Sequence, residues 1–366
     1  LRCEICSQID PNLSNVANAH SIGVGESTIR RHKQHMLEDV DSVFGIPNAI
    51  ITSRGRTLRL ADGSYEKITY SPAKAAMLEA LSYDDFDQAL TDYVYTPTSY
   101  QPTSKTFVLC MTDLQVGKAH EIRGGTPEMA IRVSESLHKA VERIKIVRPQ
   151  EIVLAELGDV IENFMNTSSQ RQTNDRNLTE QIRIARRTVL EAIMLLAPLA
   201  PKLTYISVPS NHGSVRIGPK SPASTADDDF GLEISYQVED VLTGRPGFEH
   251  VTCARPAPLM ESLTIETSGT ILGAVHGHQA GAWHSIGKWW AGQSHGRRNN
   301  MQNADILLAG HWHSSTKYQS GGRWVFIGPA SDGGSTWFDN QSGEGSQPGM
   351  LSFVTYDGQF EDERIL

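Results

Sequence analysis

The sequence predicts a layered α/β domain preceded by a small helical segment. Three observations carry that expectation. Between residues 105 and 366, short apolar runs alternate with longer amphipathic stretches, the order that builds a sheet covered by helices. Five of the runs end in Asp, Asn, Gln or His: TFVLCMTDLQ, EIVLAELGDV, LTYISVPSNH, TILGAVHGH and DILLAGHWH. The first 36 residues stand apart and read as helix, turn and basic helix.

Composition sets the outer bounds. A length of 366 residues suits one large domain with a small appendage. No apolar run reaches the roughly 18 residues of a membrane span. The opening LRCEICSQID lacks the basic and apolar segments of a secretory signal. The expectation is a cytoplasmic protein with no membrane contact. A net charge of −9 argues against a surface coated in cations to grip duplex DNA. It leaves room for a local basic groove and suits carboxylates that bind metal ions. Cys110, in TFVLC, and Cys253, in HVTCAR, are expected to be buried and reduced. Four cysteines so disposed make no disulfide framework.

In chain order, DPNLSNVANAHSIGVGESTIRRHKQHM gives a short helix, the turn IGVGE, and a second helix opening at Ser27 or Thr28. That second helix carries Arg30, Arg31, His32, Lys33 and His35. The pattern is that of a helix-turn-helix entering a major groove; a small dimerisation or capping element would read the same way. Cys3, Cys6, His32 and His35 also form a set for a structural zinc ion. The gap of 25 residues and the close His pair depart from common zinc fingers.

Across residues 37–104, GRTLRLADGSYEKITY predicts a hairpin turning at Asp62-Gly63. SPAKAAMLEALSYDDFDQAL predicts a helix entered through Pro72, and TPTSYQPTSK a linker. The expected divisions are therefore 1–36, 37–104 and 105–366. TPEMAIRVSESLHKAVERIKIV starts a long helix with Thr126 as N-cap and Pro127 in the first position. Leu137, Val141 and Ile144 keep helical spacing there. LTEQIRIARRTVLEAIMLLAPLA is a second helix ending near Pro198. GSTWFDNQSGEGSQPGMLSFVTYDG reads as a loop feeding a closing hairpin.

The strand ends share one chemistry. They offer Asp113 and Gln115, Asp159 with Glu162 following, Asn211-His212, His276 and His278, and His311 and His313. Strands of a layered domain deliver their carboxyl ends to a common edge. Mixed oxygen and nitrogen donors there suit Mn²⁺, Fe²⁺, Zn²⁺ or Mg²⁺. No cysteine joins them, so a closed thiolate zinc site is not expected. About seven donors exceed what one tetrahedral ion needs, and two ions are the economical reading.

The order D-x-Q, G-D, N-H, H-G-H and G-H-x-H, over residues 113–313, resembles the calcineurin-like metallophosphoesterases. The resemblance implies a four-layer αββα sandwich. It makes Asp159 the carboxylate bridging two ions, with Asp113, Gln115 and His313 completing one site and Asn211, His276 and His311 the other. His212 would stand beside the phosphate and protonate the leaving oxygen, and Trp312 would point away to pack. Two departures stand out. Gln115 replaces the usual histidine; its amide oxygen is a weaker, harder donor, favouring Mn²⁺ or Mg²⁺. Gly213 replaces the carboxylate that normally orients the catalytic histidine, a role left open to Glu162, Asp175 or a backbone carbonyl.

Such a fold hosts many phosphoester substrates. Three stretches favour nucleic acid: RRHKQH; the segment GAWHSIGKWWAGQSHGRRNNMQN with Trp283, Lys288, Trp289, Trp290, Arg297 and Arg298; and NFMNTSSQRQTNDRN with Arg171 and Arg176. Cations interleaved with aromatic faces make single-strand binding surfaces, although two of these tryptophans could simply pack. The whole chain resembles, more loosely, the Mre11/SbcD-like nucleases of bacteriophages. That implies a Mn²⁺-dependent DNA exonuclease or endonuclease in the host cytoplasm. A Rad50/SbcC-like ATPase would be a separate subunit, because the chain holds no G-x-x-x-x-G-K-[ST]; homo-oligomerisation is left open. The rivals are a phosphodiesterase or phosphatase on small substrates such as cyclic nucleotides, and a DNA-binding regulator with a decayed phosphoesterase domain.

Overall fold

The computed structural model describes residues 15–24, 28, 55–59, 65–69, 90, 92–119, 124–165, 174–218, 221–334 and 347–366. The chain divides into two units, Leu1–Ser82 and Tyr83–Leu366. In the first, helix α1 (Asn15–Ile22) ends at Gly23, whose φ of +75° lets its N–H and that of Val24 return to the Ala19 carbonyl. The basic second helix, with Arg30, Arg31 and Lys33, lies outside the described residues, as do Cys3, Cys6, His32 and His35. The expected hairpin is present as β1 (Gly55–Arg59) antiparallel to β2 (Tyr65–Thr69), with Arg59 opposite Tyr65. Its Asp62-Gly63 turn lies outside the described residues, as does the helix expected from Pro72, apart from Leu90.

The larger unit is built on two sheets. β3 (Thr106–Met111), β4 (Glu151–Glu156), β5 (Lys202–Ser207) and β8 (Val251–Ala254) run parallel. The closing hairpin of β14 (Leu351–Tyr356) and β15 (Gln359–Ile365) adds antiparallel strands beyond β3. Asp357 and Gly358 both take positive φ at its turn, the conformation that a two-residue hairpin requires. In the second sheet β10 (Thr270–Val275), β11 (Ile306–Ala309) and β13 (Arg323–Ile327) are parallel. Antiparallel β9 (Ser262–Thr267) and β12 (Thr316–Ser320) flank them, and β6 (Arg216–Gly218) with β7 (Ser221–Pro222) forms a separate short antiparallel pair.

Period-2 alternation gives each strand two apolar faces, and each face finds its own layer. Phe107, Leu109, Met111, Ile152 and Leu154 pack beneath α2 (Thr126–Val147), α3 (Leu178–Leu196) and α4 (Phe230–Leu242). Val108, Cys110, Val153, Ala155 and Ile206 face Leu272, Ala274, Ile306, Leu308 and Phe326 of the second sheet. The far face of that sheet, with Val275, Leu307 and Val325, meets Ile286 and Trp290 of α5 (Ile286–His295). Helices, sheet, sheet and helix make the four-layer αββα sandwich. Among the described residues no helix is long and apolar enough to cross a membrane.

Local chemistry sets the helix starts. Asn177 and Glu180 form a reciprocal capping box on α3. On α2 the cap is Gly125, one residue before the expected Thr126, with Pro127 in the first turn. Two further expectations need correction. Residues 96–105 are no slack linker: Thr98 N–H donates to the Pro198 carbonyl and Thr103 N–H to that of Arg148, strapping the segment to the larger unit. Cys110 is buried, but Cys253 is only half-buried; both are free thiols.

β4 ends in a buried carboxyl group. Glu156 accepts hydrogen bonds from Ser207 Oγ (2.6 Å) and from the Gly158 N–H (2.5 Å), and burial pushes its pKa up from 4.5 to about 8. Between those values the unfolded chain releases the proton and the fold keeps it, so this group lowers stability as pH rises from 4.5 toward 8. Glu156→Gln imitates the protonated acid. Its stability gain over wild type should be small at pH 5 and reach on the order of a few kcal/mol at pH 8, at about 1.4 kcal/mol per unit. Denaturant titrations of both proteins at the two pH values measure this; equal gains would contradict it.

Candidate metal centre

The parallel strands of both sheets release their chains on one edge. The loop after β3 stays zipped to the loop after β4: Asp113 N–H donates to the Gly158 carbonyl (3.2 Å) and Gln115 N–H to that of Asp159 (2.8 Å). Gly310 N–H, after β11, donates to the His276 carbonyl after β10 (2.8 Å). These exits are sharply bent. Asp113, Gln115, Asp159, His311 and His313 all hold positive φ, between 42° and 75°. Left-handed backbone at a non-glycine residue costs on the order of 1–3 kcal/mol each. Five of the seven predicted ligands share it, so the backbone is bent to aim side chains.

One cluster is tight. Ligand atoms of Asp159, His276 and His311 lie within 4.8 Å of one another. His276 and Asp159 are buried, and His276 Nδ1 sits 2.7 Å from the Leu157 carbonyl. A carbonyl can only accept, so Nδ1 carries the hydrogen and Nε2 turns into the cluster. There it stands 3.0 Å from Asn211 Oδ1 and 3.1 Å from Asp159 Oδ2. Three lone-pair atoms then point at one another, an arrangement that needs a proton or a cation between them. Burial opposes charge on His276, but Asp159 outweighs it and raises its pKa to about 9. Burial and the His276 charge push His311 down to about 2, leaving it neutral and able to ligate. Burial alone would raise Asp159; the neighbouring imidazoles hold it well below the usual carboxylate range. Two oxygens and two imidazole nitrogens, with no thiolate, fit a divalent ion of borderline or hard character.

Beside it lie Asp113 and His313. Asp113 Oδ2 accepts from His311 N–H (3.0 Å); Oδ1 is buried without a hydrogen bond, 3.3 Å from His313 Nε2. Behind His313, Nδ1 is 3.7 Å from Asp332 Oδ1. Gln115 lies beside them, 3 % exposed. Its Oε1 accepts from Lys118 Nζ, which also pairs with Asp332.

His212 stands at the rim, 18 % exposed. Its Nδ1 is 3.0 Å from the Glu162 carbonyl and 3.1 Å from Glu162 Oε2, and Nε2 lies 4.0 Å from Asp159 Oδ2. Of the orienting groups left open, Glu162 fills the position with its backbone carbonyl and one carboxylate oxygen. Asp175 instead accepts from the backbone N–H and hydroxyl of Thr126. The departure at Gly213 has a spatial cause: a β-carbon there would sit 2.4 Å from Asp229 Oδ2. Asp229 accepts from Ser210 N–H and from Gly231 and Leu232 at the start of α4, anchoring the loop that carries Asn211 and His212. The His278 ring lies 5.5 Å from that of His276 and 6.2 Å from that of His311, with Nε2 3.8 Å from Glu261 Oε2.

The aromatic segment divides. Trp290 is buried, with Nε1 donating to the Met301 carbonyl and the Arg323 guanidinium 4.0 Å above its ring. Trp312 packs in the same cluster, and Trp289 is half-buried against it. Trp283, Lys288, Arg297 and Arg298 are exposed. Arg171 lies outside the described residues. Sequence reading gave no role to Lys118, Asp229 or Asp332, although Lys118 follows the D-x-Q motif in DLQVGK and Asp332 lies in GPASDGGSTWF.

No known protein family and no curated protein matches the chain. Solved structures resemble it at low identity. A predicted phosphoesterase of Streptococcus pneumoniae is 12% identical over 70% of this chain and 86% of its own, with a TM-score of 0.29. Vps29 complexed with Zn²⁺, from Entamoeba histolytica, is 13% identical over 71% and 98%, with a TM-score of 0.30. An archaeal phosphodiesterase is 10% identical over 71% and 99%, with a TM-score of 0.32. Likeness at this level transfers no role to any residue.

Gly158, at φ +94°, has no room for a side chain: a β-carbon would lie 2.6 Å from His276 Nδ1 and 2.7 Å from Ser210 Cβ. Gly158→Ala should tilt His276 off the Leu157 carbonyl and weaken the binding of a divalent ion by about tenfold or more, as loss of an outer support does. Gly292→Ala, with open space around it, should change nothing. Calorimetric titration of both variants decides; unaltered binding in Gly158→Ala would remove the need for the His276 anchor.

Proposed function

We propose that the chain is a metal-dependent phosphodiesterase acting on DNA. One observation carries the reading: His276 is pinned by the Leu157 carbonyl so that Nε2 meets Asp159 and Asn211, with His311 alongside. Asp159, Asn211, His276 and His311 would hold the ion. A divalent ion so held supplies Lewis acidity toward a phosphoryl oxygen and makes water a competent nucleophile near neutral pH.

The remaining work falls to the chain. Asp159 Oδ1 accepts from His212 N–H (2.8 Å), so the ion's carboxylate also fixes the backbone of the histidine beside it. Glu162 holds His212 Nδ1 and turns Nε2 toward the centre, where it can give a proton to a departing oxygen. Exposed Lys288, Arg297 and Arg298 support a polyanionic substrate, and exposed Trp283 offers a face to an unstacked base.

The deciding assay incubates the protein and Mn²⁺ with labelled single- and double-stranded DNA beside bis-p-nitrophenyl phosphate. Cleavage of DNA is expected, and its binding should weaken steeply with salt. Cleavage of the small ester alone would reject DNA in favour of a small-substrate phosphodiesterase.

Three substitutions separate the roles. Asp159→Ala and His311→Ala should lose both turnover and bound metal. His212→Ala should lose about a hundredfold or more in turnover while keeping its metal. Rates measured beside metal analysis check this, and a fully active Asp159→Ala protein would end the proposal.

A further inference from the structure

A lysine holds one of the donors expected for a second ion. Lys118 follows Gln115 in a tight turn, its N–H donating to the Gln115 carbonyl (2.9 Å), with Gly117 at φ +105° between them. The turn folds its side chain, 16 % exposed, back over the centre. Nζ donates to Gln115 Oε1 and to Asp332 Oδ2, and the charges of Glu162 and Asp113 also act on it. Asp332 is itself buried, 3 % exposed, and takes the ammonium on one oxygen while the other lies near His313.

We propose that the Lys118 ammonium serves in place of a second divalent ion, so that the centre binds one ion, at Asp159, Asn211, His276 and His311. The inference rests on the functional reading above for the ion it keeps. Three features favour it. The donor expected from Gln115 is already spent on a cation; a divalent ion on the same oxygen would set two positive charges against each other across one atom. Asp332 would stabilise that ion less, because its nearer charge is already matched by Lys118. An ammonium has three donors, and among the described residues Gln115 and Asp332 take two. The third remains for an oxygen of the phosphoryl group, as a second ion's open position would.

The full chain dialysed against Mn²⁺ and analysed by atomic emission should hold about one ion per chain, as mixed oxygen and nitrogen donor sites for one ion do. Its low-temperature electron paramagnetic resonance spectrum should be that of isolated Mn²⁺, without the exchange coupling of a pair. The double variant Gln115→His/Lys118→Met supplies a neutral ligand and removes the competing charge; it should take up a second ion and show coupling. An unchanged single ion in the folded double variant, checked by circular dichroism, overturns the role of Lys118. A coupled pair in wild type, with hydrolysis intact, overturns it too and leaves the phosphodiesterase reading standing. Wild type with neither bound Mn²⁺ nor hydrolysis removes both.

Discussion

The centre depends on one hydrogen bond, from His276 Nδ1 to the Leu157 carbonyl. It joins the second sheet to the first, because His276 follows β10 and Leu157 follows β4. It fixes Nδ1 as the donor, so that Nε2 is the nitrogen facing Asp159 and Asn211, where it shares a proton with them or gives its lone pair to a cation. The packing between the two sheets, Val108, Val153 and Ile206 against Leu272, Ile306 and Phe326, therefore holds the geometry of the site as well as the fold.

The bent strand exits cost energy that this packing must cover. Five positive-φ residues, on the order of 1–3 kcal/mol each, are comparable to the whole net stability of an ordinary domain, about 5–15 kcal/mol. The strain is tolerated because the loops are tied to one another by backbone bonds such as Gln115 N–H to the Asp159 carbonyl. A loop bent for solvent alone would relax; these are bent toward a shared point.

Much of this was legible in the sequence, for a physical reason. A buried parallel strand is a short apolar run, and the residue that ends it sits at the sheet edge, so LLAGHWH and LAELGD announce both strand and site locally. The fold class and the convergence of Asp159, Asn211, His276 and His311 followed from that. What escaped depends on approach between distant segments. Asp332 backs His313 because β13 lies beside β11, and nothing in GPASDGG records that pairing. Residues 96–105 have a linker's composition whether they swing or lie strapped, since the strap is made of backbone bonds to Pro198 and Arg148. Trp289 and Trp290 are neighbours in sequence, yet the turn of α5 buries one ring and leaves the other half-open; their shared letter hid different environments.

The Gly213 departure shows how a missing group can be traced. Read along the chain, the loss of a carboxylate beside His212 looks like the loss of its orienter. In space there are two carboxylates where one was expected. Glu162 holds the imidazole, while Asp229 occupies the volume a side chain at 213 would need and holds the loop's backbone. Burial raises Asp229 to about 7, so it is poorly placed to carry charge for catalysis and well placed to accept backbone hydrogen bonds. Orientation and anchoring are thus divided between two acids from different elements. The glycine is the consequence of that division, because only the absence of a β-carbon admits Asp229 there.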